Sequence, residues 1–302
     1  MPLFSVVVPT HNRAHLVGRA IASICAQSVS SFELIIVDDG STDATRHVVE
    51  GAADPRLRYV FQGNAGAAAA RNHGARVAKG EYLTFLDSDD EALPGWLEAF
   101  AHGFQEHQAD IVCCGQVKVG EGAEVLKKGG VNLPRDLGPM FDHAVGRFTN
   151  GGVYAMRREI FHVAGGFVED LRSGQHTELA MRLLPLVRKR GWTIHNVMAP
   201  LVRVHVHGGP RIRGNPEAIY HGSSYTLRAH RELLRRDPRW HGKYHAIAGV
   251  NAVRIGRYKE ARSHFIQAIR VDPLRPEHWG RLLMSMVPAV ASWRWSVGSS
   301  SS

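Results

Sequence analysis

Over its first 119 residues the chain alternates short apolar runs with longer amphipathic segments, and this alternation constrains its fold more than any other feature. Ser5–Val8, Phe32–Val37, Leu57–Phe61, Tyr82–Leu86 and Ile111–Val119 are short and rich in Val, Ile, Leu, Phe and Tyr, the composition of strands. Helices are predicted between them, near residues 14–27, 42–51, 65–78 and 94–107. Strands that alternate with helices pair in parallel, with the helices crossing both faces of the sheet. In such sheets a ligand sits beyond the carboxyl ends of the strands.

The residues just past each strand are therefore the ones to read. After the first come Pro9-Thr10-His11-Asn12-Arg13; after the second, Asp38-Asp39-Gly40-Ser41; after the third, Gly63-Asn64-Ala65-Gly66; after the fourth, Asp87-Ser88-Asp89-Asp90. Four polar clusters on one rim, two of them with adjacent carboxylates, point to a single shared site.

Residues 120–152 are rich in Gly and poorly periodic, and read as long loops over that site. A helix is predicted from about Gln175 to Arg190, disturbed by Pro185, followed by strands near Thr193–Val197 and Leu201–Val206. From about Pro216 the chain becomes helical, with many Arg and His. Gly256, Tyr258, Ala261, Phe265, Ala268 and Pro273 match the second half of a tetratricopeptide repeat: a tight turn, a helix with small and aromatic packing residues, then a stop. One repeat does not make a solenoid, so this hairpin is expected to pack on the main domain or pair with another chain. Ser299–Ser302 is expected to be a flexible tail. The predicted organisation is a domain over 1–215, with halves at 1–119 and 120–215, a helical extension over 216–298, and the tail.

With 302 residues and 44% hydrophobic content the chain can build a large core. Its formal net charge of +9 suits a polyanionic partner, which could be nucleic acid, an anionic membrane or a phosphorylated substrate. The acidic strand ends argue against nucleic acid. Three cysteines form neither a disulfide framework nor a zinc spacing, which favours a reducing compartment. The N-terminus has no secretory leader pattern, and no run reaches the ~18 apolar residues of a spanning helix. The expected location is cytoplasmic or peripheral on the inner face of the cell membrane.

Four ordered strings carry a family resemblance: Ser5-Val-Val-Val-Pro-Thr-His-Asn-Arg13; Val37-Asp-Asp-Gly-Ser-Thr-Asp43; Asn64-Ala-Gly66 with Ala70-Arg-Asn72 and Gly74; and Phe85-Leu-Asp-Ser-Asp-Asp90 with Pro94. Over roughly residues 3–210 the chain resembles the family-2 glycosyltransferases. The resemblance implies the GT-A fold, an α/β architecture whose mixed, mainly parallel sheet is sandwiched by helices, here with an α-helical C-terminal extension. It also implies inverting transfer of a sugar from a nucleotide-diphospho-sugar (UDP-, dTDP- or GDP-linked) to a saccharide or lipid-linked acceptor, in building a bacterial surface polysaccharide or glycoconjugate. Pro9, Thr10, Arg13, Asp38, Asp39, Asn64, Arg71, Asp87 and Ser88 then fall in the donor pocket. Arg71 has a second reading, a salt bridge organising Asp38 or Asp39. Asp87 and Asp89 become metal ligands, because a departing nucleotide diphosphate needs a divalent cation to neutralise its charge, and Mn²⁺ or Mg²⁺ suits oxygen donors.

The family's general base is normally the Asp of a Glu-Asp pair at a helix start, downstream of a Gly-Gly-Phe turn. Gly165-Gly166-Phe167 is present, but the aligned pair is Gln175-His176. Histidine at 176 can take a proton near neutral pH, so His176 is the expected base, with Glu178 and Asp170 as competitors. The same departure supports a rival reading, a weak or inactive sugar-nucleotide-binding protein acting through its helical tail. A nucleotidyltransferase would need a Gly-rich, Lys- or Arg-bearing loop where Pro9–Arg13 stands. His205 or His207 is expected to complete the metal or diphosphate site, only one of them facing it if the strand runs through both. Trp279, Arg281, Trp293, Arg294 and Trp295 interleave aromatic and cationic groups, which fits a helix packed on the main domain, contact between copies, or a segment lying on an anionic membrane.

Overall fold

The computed structural model describes residues 1–120, 124–126, 130–206 and 214–295. The chain forms two compact units, one built from Met1–Leu137, Ala144–Asp170 and Gln175–Gly208, the other from Gly138–His143, Leu171–Gly174 and Gly209–Ser302.

In the first unit the elements run β1 (Phe4–Thr10), α1 (Ala14–Cys25), β2 (Phe32–Asp39), α2 (Thr45–Glu50), β3 (Leu57–Gln62), α3 (Ala67–Val77), β4 (Tyr82–Phe85), β5 (Glu91–Ala92), α4 (Trp96–Gln105), β6 (Ile111–Val119), β7 (Val131–Asn132), β8 (Arg135–Asp136), β9 (Val145–Gly146), β10 (Tyr154–Arg157), α5 (Arg158–Val163), α6 (Gln175–Arg190) and β11 (Ile194–His205). The main sheet has the order β3-β2-β1-β4-β10-β6-β11-β5, with β7 attached to β6, and β8 and β9 form a separate ribbon. It is a mixed α/β sheet of the GT-A kind. β3, β2, β1 and β4 are parallel neighbours, as the alternation requires. Beyond β4 the sheet is mixed, as the resemblance implies, because β10 runs antiparallel to both β4 and β6.

All seven residues of β1 are buried, as in a strand covered on both faces. The cover of α3 depends on Gly74, where a Cβ would lie 2.3 Å from Val7 Cγ1 and 3.1 Å from Val37 Cγ2. The helix therefore sits directly on β1 and β2, and Gly74 is the residue that lets it approach.

Two local expectations change. Ile194–His205 forms one strand rather than two, with its register against β6 shifted on either side of Pro200, which has no N–H to give a ladder. Among the described residues, 120–152 are not plain loop, since β7 adds to the sheet and β8 pairs with β9. The helix predicted over Gln175–Arg190 has those bounds, with Pro185 inside it.

The second unit holds a short 3₁₀ turn (Pro139–Phe141) and α7 (Pro216–Ala229), α8 (Arg231–Arg235), α9 (Pro238–Arg254), α10 (Tyr258–Val271), α11 (Pro276–Ser285) and α12 (Pro288–Trp295). Pro216, Pro238, Pro276 and Pro288 each open a helix, where a missing N–H costs nothing. Asn215 and Asp237 cap α7 and α9 by accepting from Ala218 N and Trp240 N. Gly256, at φ +77°, makes the turn between α9 and α10. Ala252, Val253, Ala261, Phe265, Ala291 and Trp295 form the core of this unit. Among the described residues no helix is long and apolar enough to cross a membrane.

Inside this unit burial pushes His245 down to about 3, with nearby His264, His241 and His278 acting in the same direction. A group that binds its proton less readily when folded leaves stability intact above its ordinary value of 6.5 and removes it as pH falls toward 3. The urea midpoint of this unit is therefore expected to fall between pH 7 and pH 5. The part owed to His245 is about 1 kcal/mol after allowing for its partial exposure, and His245→Leu should flatten the dependence.

Candidate active site

The carboxyl ends of β1, β2 and β4 line up, with Thr10 opposite Asp38 in register and Leu86 N bonded to Val7 O. The loops after β1 and β2 are stitched together at Asn12, which adopts φ +50°. Asn12 N donates to Ser41 Oγ at 2.8 Å, and its Oδ1 accepts from Thr42 N at 2.8 Å. Asp38 is buried and accepts from Ser41 N and the Tyr59 hydroxyl. Burial and this carboxylate together push the Tyr59 phenol up. Asp39, also buried, accepts from Gln62 Nε2, Ala65 N and Gly66 N, so it shapes the loop that opens α3.

Both aspartates thus build the rim, and each keeps lone-pair capacity for a further donor. Thr10 Oγ1 is buried beside them with no hydrogen-bond partner among the described residues. Pro9 is buried in β1, and Asn64 is exposed with Nδ2 3.3 Å from His11 Nε2.

Past β4, the carboxylates of Asp87, Asp89 and Asp90 offer oxygens within 4.8 Å of one another. Three negative groups this close repel unless cations intervene. Two arginines already do so: Arg13 Nη1 lies 2.8 Å from Asp89 Oδ2, and Arg71 Nη2 lies 2.5 Å from Asp87 Oδ1. Arg19 Nη2 adds a bond to Asp89 O at 2.7 Å. A set of hard oxygen donors fits a divalent cation such as Mg²⁺ or Mn²⁺, and the three aspartates are the residues that could hold one. Ser88 is buried among them. The salt-bridge partner of Arg71 is Asp87, not Asp38 or Asp39, because α3 aims its side chain at the end of β4.

Arg71 also reaches α6. Its Nη1 donates to Gln175 Oε1 at 2.5 Å, and its guanidinium lies 5.6 Å from the Phe167 ring centroid. His176, the next residue, is buried with Nδ1 2.8 Å from the Tyr154 hydroxyl and with its ring edge-on to Phe167 and Tyr154. The structure therefore brings His176 onto the element that meets the Arg71–Asp87 pair.

Glu178 is differently placed. Both its oxygens are held by Arg182, at 2.8 and 2.6 Å, and the pair is buried at the glutamate end. Arg182 also donates to the carbonyls of Ala164 and Gly166. This unit braces the Gly165-Gly166 turn, where φ is +79° and +67°. A carboxylate engaged in that way is a weak proton acceptor. Asn72 clamps the same turn from α3, donating Nδ2 to Phe167 O and accepting from Phe167 N, each at 2.8 Å.

The His205 ring is engaged by Glu91 rather than by the three aspartates. Its Nε2 lies 2.8 Å from Glu91 Oε1, and Glu91 is also paired with Arg19 at 3.2 Å and Arg203 at 2.7 Å. Burial, then Arg19, holds the His205 pKa below the usual imidazole range. What it gives the cluster is its backbone N–H, 3.2 Å from Asp90 Oδ1. His207 lies outside the described residues.

Sequence reasoning assigned no role to Arg19, Glu91, Asn72 or Tyr154, and left Asp90 out of the ligand set. Asp90 and Glu91 were legible as a continuation of the acidic string. Arg19 and Tyr154 carry no local signal, since only the fold brings them to this rim.

An α/β sheet of this order, with a carboxylate cluster beyond its strand ends, has the GT-A fold. Residues 5–164 match the model of Glycosyl transferase family 2, and the chain belongs to that family. A Campylobacter jejuni relative, GalNAc(5)-diNAcBac-PP-undecaprenol beta-1,3-glucosyltransferase, is 41% identical over 115 residues, 37% of this chain and 37% of the relative. The chain spans under half the length of the curated relatives it matches. Among solved structures, S. aureus TarS residues 1–349 with UDP-GlcNAc superposes at a TM-score of 0.66 with 19% identity, covering 97% of this chain and 92% of that one. The mannosyltransferase PcManGT of Pyrobaculum calidifontis with GDP-Man and Mn²⁺ gives 0.52 and 18%, covering 97% and 86%. These two likenesses show the fold.

Arg182→Met should leave Glu178 as an uncompensated buried carboxylate and lower stability by about 3 kcal/mol in urea unfolding. Adding Glu178→Gln to that variant should recover part of the loss. If Glu178 were the base, Glu178→Gln alone would abolish turnover with stability intact.

Proposed function

We propose that the chain transfers a sugar, with inversion, from a nucleotide-diphospho-sugar to an acceptor hydroxyl in surface polysaccharide or glycoconjugate synthesis. The observation that carries this reading is the Asp87, Asp89 and Asp90 cluster, set on the strand-end rim and flanked by Arg13 and Arg71. A divalent cation bound there would neutralise the charge of the diphosphate as it leaves. Arg13 and Arg71 would exchange their carboxylate partners for, or share them with, the donor's phosphates. Pro9, Thr10, Asp38, Asp39, Asn64 and Ser88 would line the nucleoside end, with the partnerless Thr10 hydroxyl and the spare lone pairs of Asp38 as hydrogen-bonding groups. The UDP-sugar and GDP-Man held by the two structural neighbours support a donor of this class. The reaction would run in the cytoplasm, where such donors are made. The enzyme domain would span residues 1–215, with the α9–α10 hairpin as a tetratricopeptide-like appendage.

For transfer, the acceptor oxygen bonds to the anomeric carbon as the bond from that carbon to the diphosphate breaks. The nucleotide diphosphate leaves with the electron pair. His176 takes the acceptor proton. This requires the tautomer in which Nδ1–H donates to the Tyr154 oxygen and Nε2 carries the lone pair, so Tyr154 is a positioning residue for the base. A second reading, a donor-binding protein with weak transfer, is favoured by one observation: α6 opens with Gln175-His176, with no carboxylate at either of those two positions.

Thermal shift with UDP, dTDP, GDP and their sugars in Mn²⁺ should show stabilisation by at least one nucleotide, worth about 2.7 kcal/mol at a hundredfold excess over Kd. Asp89→Ala should remove it. No stabilisation by any nucleotide, or an equal one in the variant, would refute the donor site. His176→Ala should lower kcat by about 10²–10⁴-fold with donor KM nearly unchanged, and Tyr154→Phe should lower kcat less. Undiminished turnover in His176→Ala would refute the base assignment.

A further inference from the structure

The positive charge of the chain is not spread along it. Residues 209–302 hold 16 Lys and Arg against 6 Asp and Glu, whereas residues 1–208 hold 21 against 22. The net charge therefore resides in the C-terminal helical part of the chain.

That same part ends in two helices with apolar groups on both faces. The inner face of α12 is accounted for: Ala291 and Trp295 belong to the core of the helical unit, Trp295 O accepts from Arg254, and Ser292 Oγ meets the Tyr258 hydroxyl at 2.7 Å. On α11, His278 and Ser285 are buried. The opposite side of a surface helix is ordinarily polar. Here it carries Trp279 (51% exposed), Leu283 (71%), Met286 (60%), Val290 (43%) and Trp293 (76%), with Val287 also exposed. Trp279 and Leu283 lie one turn apart on α11, Val290 and Trp293 three residues apart on α12, and Met286 and Val287 stand in the turn between the two helices. Leu274, just before α11, is almost wholly exposed as well. Large apolar groups gathered in this way mark an interaction surface.

We infer that the outer face of α11 and α12 docks on an anionic phospholipid bilayer. Two observations select this occupant. Tryptophans beside aliphatic residues, with cationic groups close by in sequence (Arg270, Arg275, Arg294), suit the boundary between headgroups and acyl chains. The large excess of positive charge in residues 209–302 attracts an anionic surface, about 1 kcal/mol per basic residue near it, and repels a second copy of itself. With no spanning helix among the described residues, attachment of this type is reversible and salt-sensitive.

The test needs no donor, so its outcome is independent of the proposed activity. The full chain is sedimented with phosphatidylcholine vesicles, with and without phosphatidylglycerol, at low and high salt. It is expected to pellet with the anionic vesicles and to be released by salt. Leu283→Ser with Trp293→Ser should weaken binding by about tenfold or more with the melting temperature unchanged, because both side chains are exposed. A charge-keeping control, Val163→Ser on the exposed side of α5, should pellet like the parent. Absence of pelleting with anionic vesicles would overturn the inference. So would equal pelleting by the double variant, or a parent chain that is a dimer in solution and becomes monomeric with the same two substitutions.

Discussion

The site depends on one buried guanidinium. Arg71 donates to Asp87 and to Gln175, each at 2.5 Å, and so joins α3, the end of β4 and the start of α6. Without it, Asp87 would face Asp89 and Asp90 with less opposing charge, and the helix carrying His176 would lose its polar tie to the donor rim. Gly74 makes this geometry attainable, since α3 can lie against β1 and β2 only where the helix has no side chain. Asn72, between these two residues, fixes the Gly165-Gly166-Phe167 turn that packs beneath His176.

That one helix explains why the resemblance was strong in the first half of the sequence. The strings Ala70-Arg-Asn72 and Gly74 are contiguous, yet each residue answers a different constraint: charge, turn geometry and close packing. Likewise the paired aspartates that end β2 serve the architecture first, as acceptors for backbone N–H groups in two loops. A pattern with so many simultaneous uses is easy to see in a single sequence.

The parallel half of the sheet was legible because period and polarity change together at each strand end. The antiparallel insertion of β10 was not, because four residues between Gly-rich loops carry too little periodicity to show direction. The continuous β11 read as two strands since Pro200 interrupts its ladder without ending it. In the site, residues adjacent in sequence were found and residues joined only by the fold were missed, Tyr154 and Arg19 above all. Glu178 suits a base by type and position in the sequence, and only the fold shows that Arg182, one turn on, bonds both its oxygens.

The central claim is that the Asp87, Asp89 and Asp90 carboxylates form a cation and diphosphate site. Crystals grown with Mn²⁺ and a nucleoside diphosphate, measured at the manganese absorption edge, test it most directly. The account predicts one anomalous peak within bonding distance of at least two of these aspartates, with the diphosphate oxygens on the same ion. Bound nucleotide with no peak there, or a peak elsewhere in the chain with these carboxylates still paired only to Arg13 and Arg71, would contradict it.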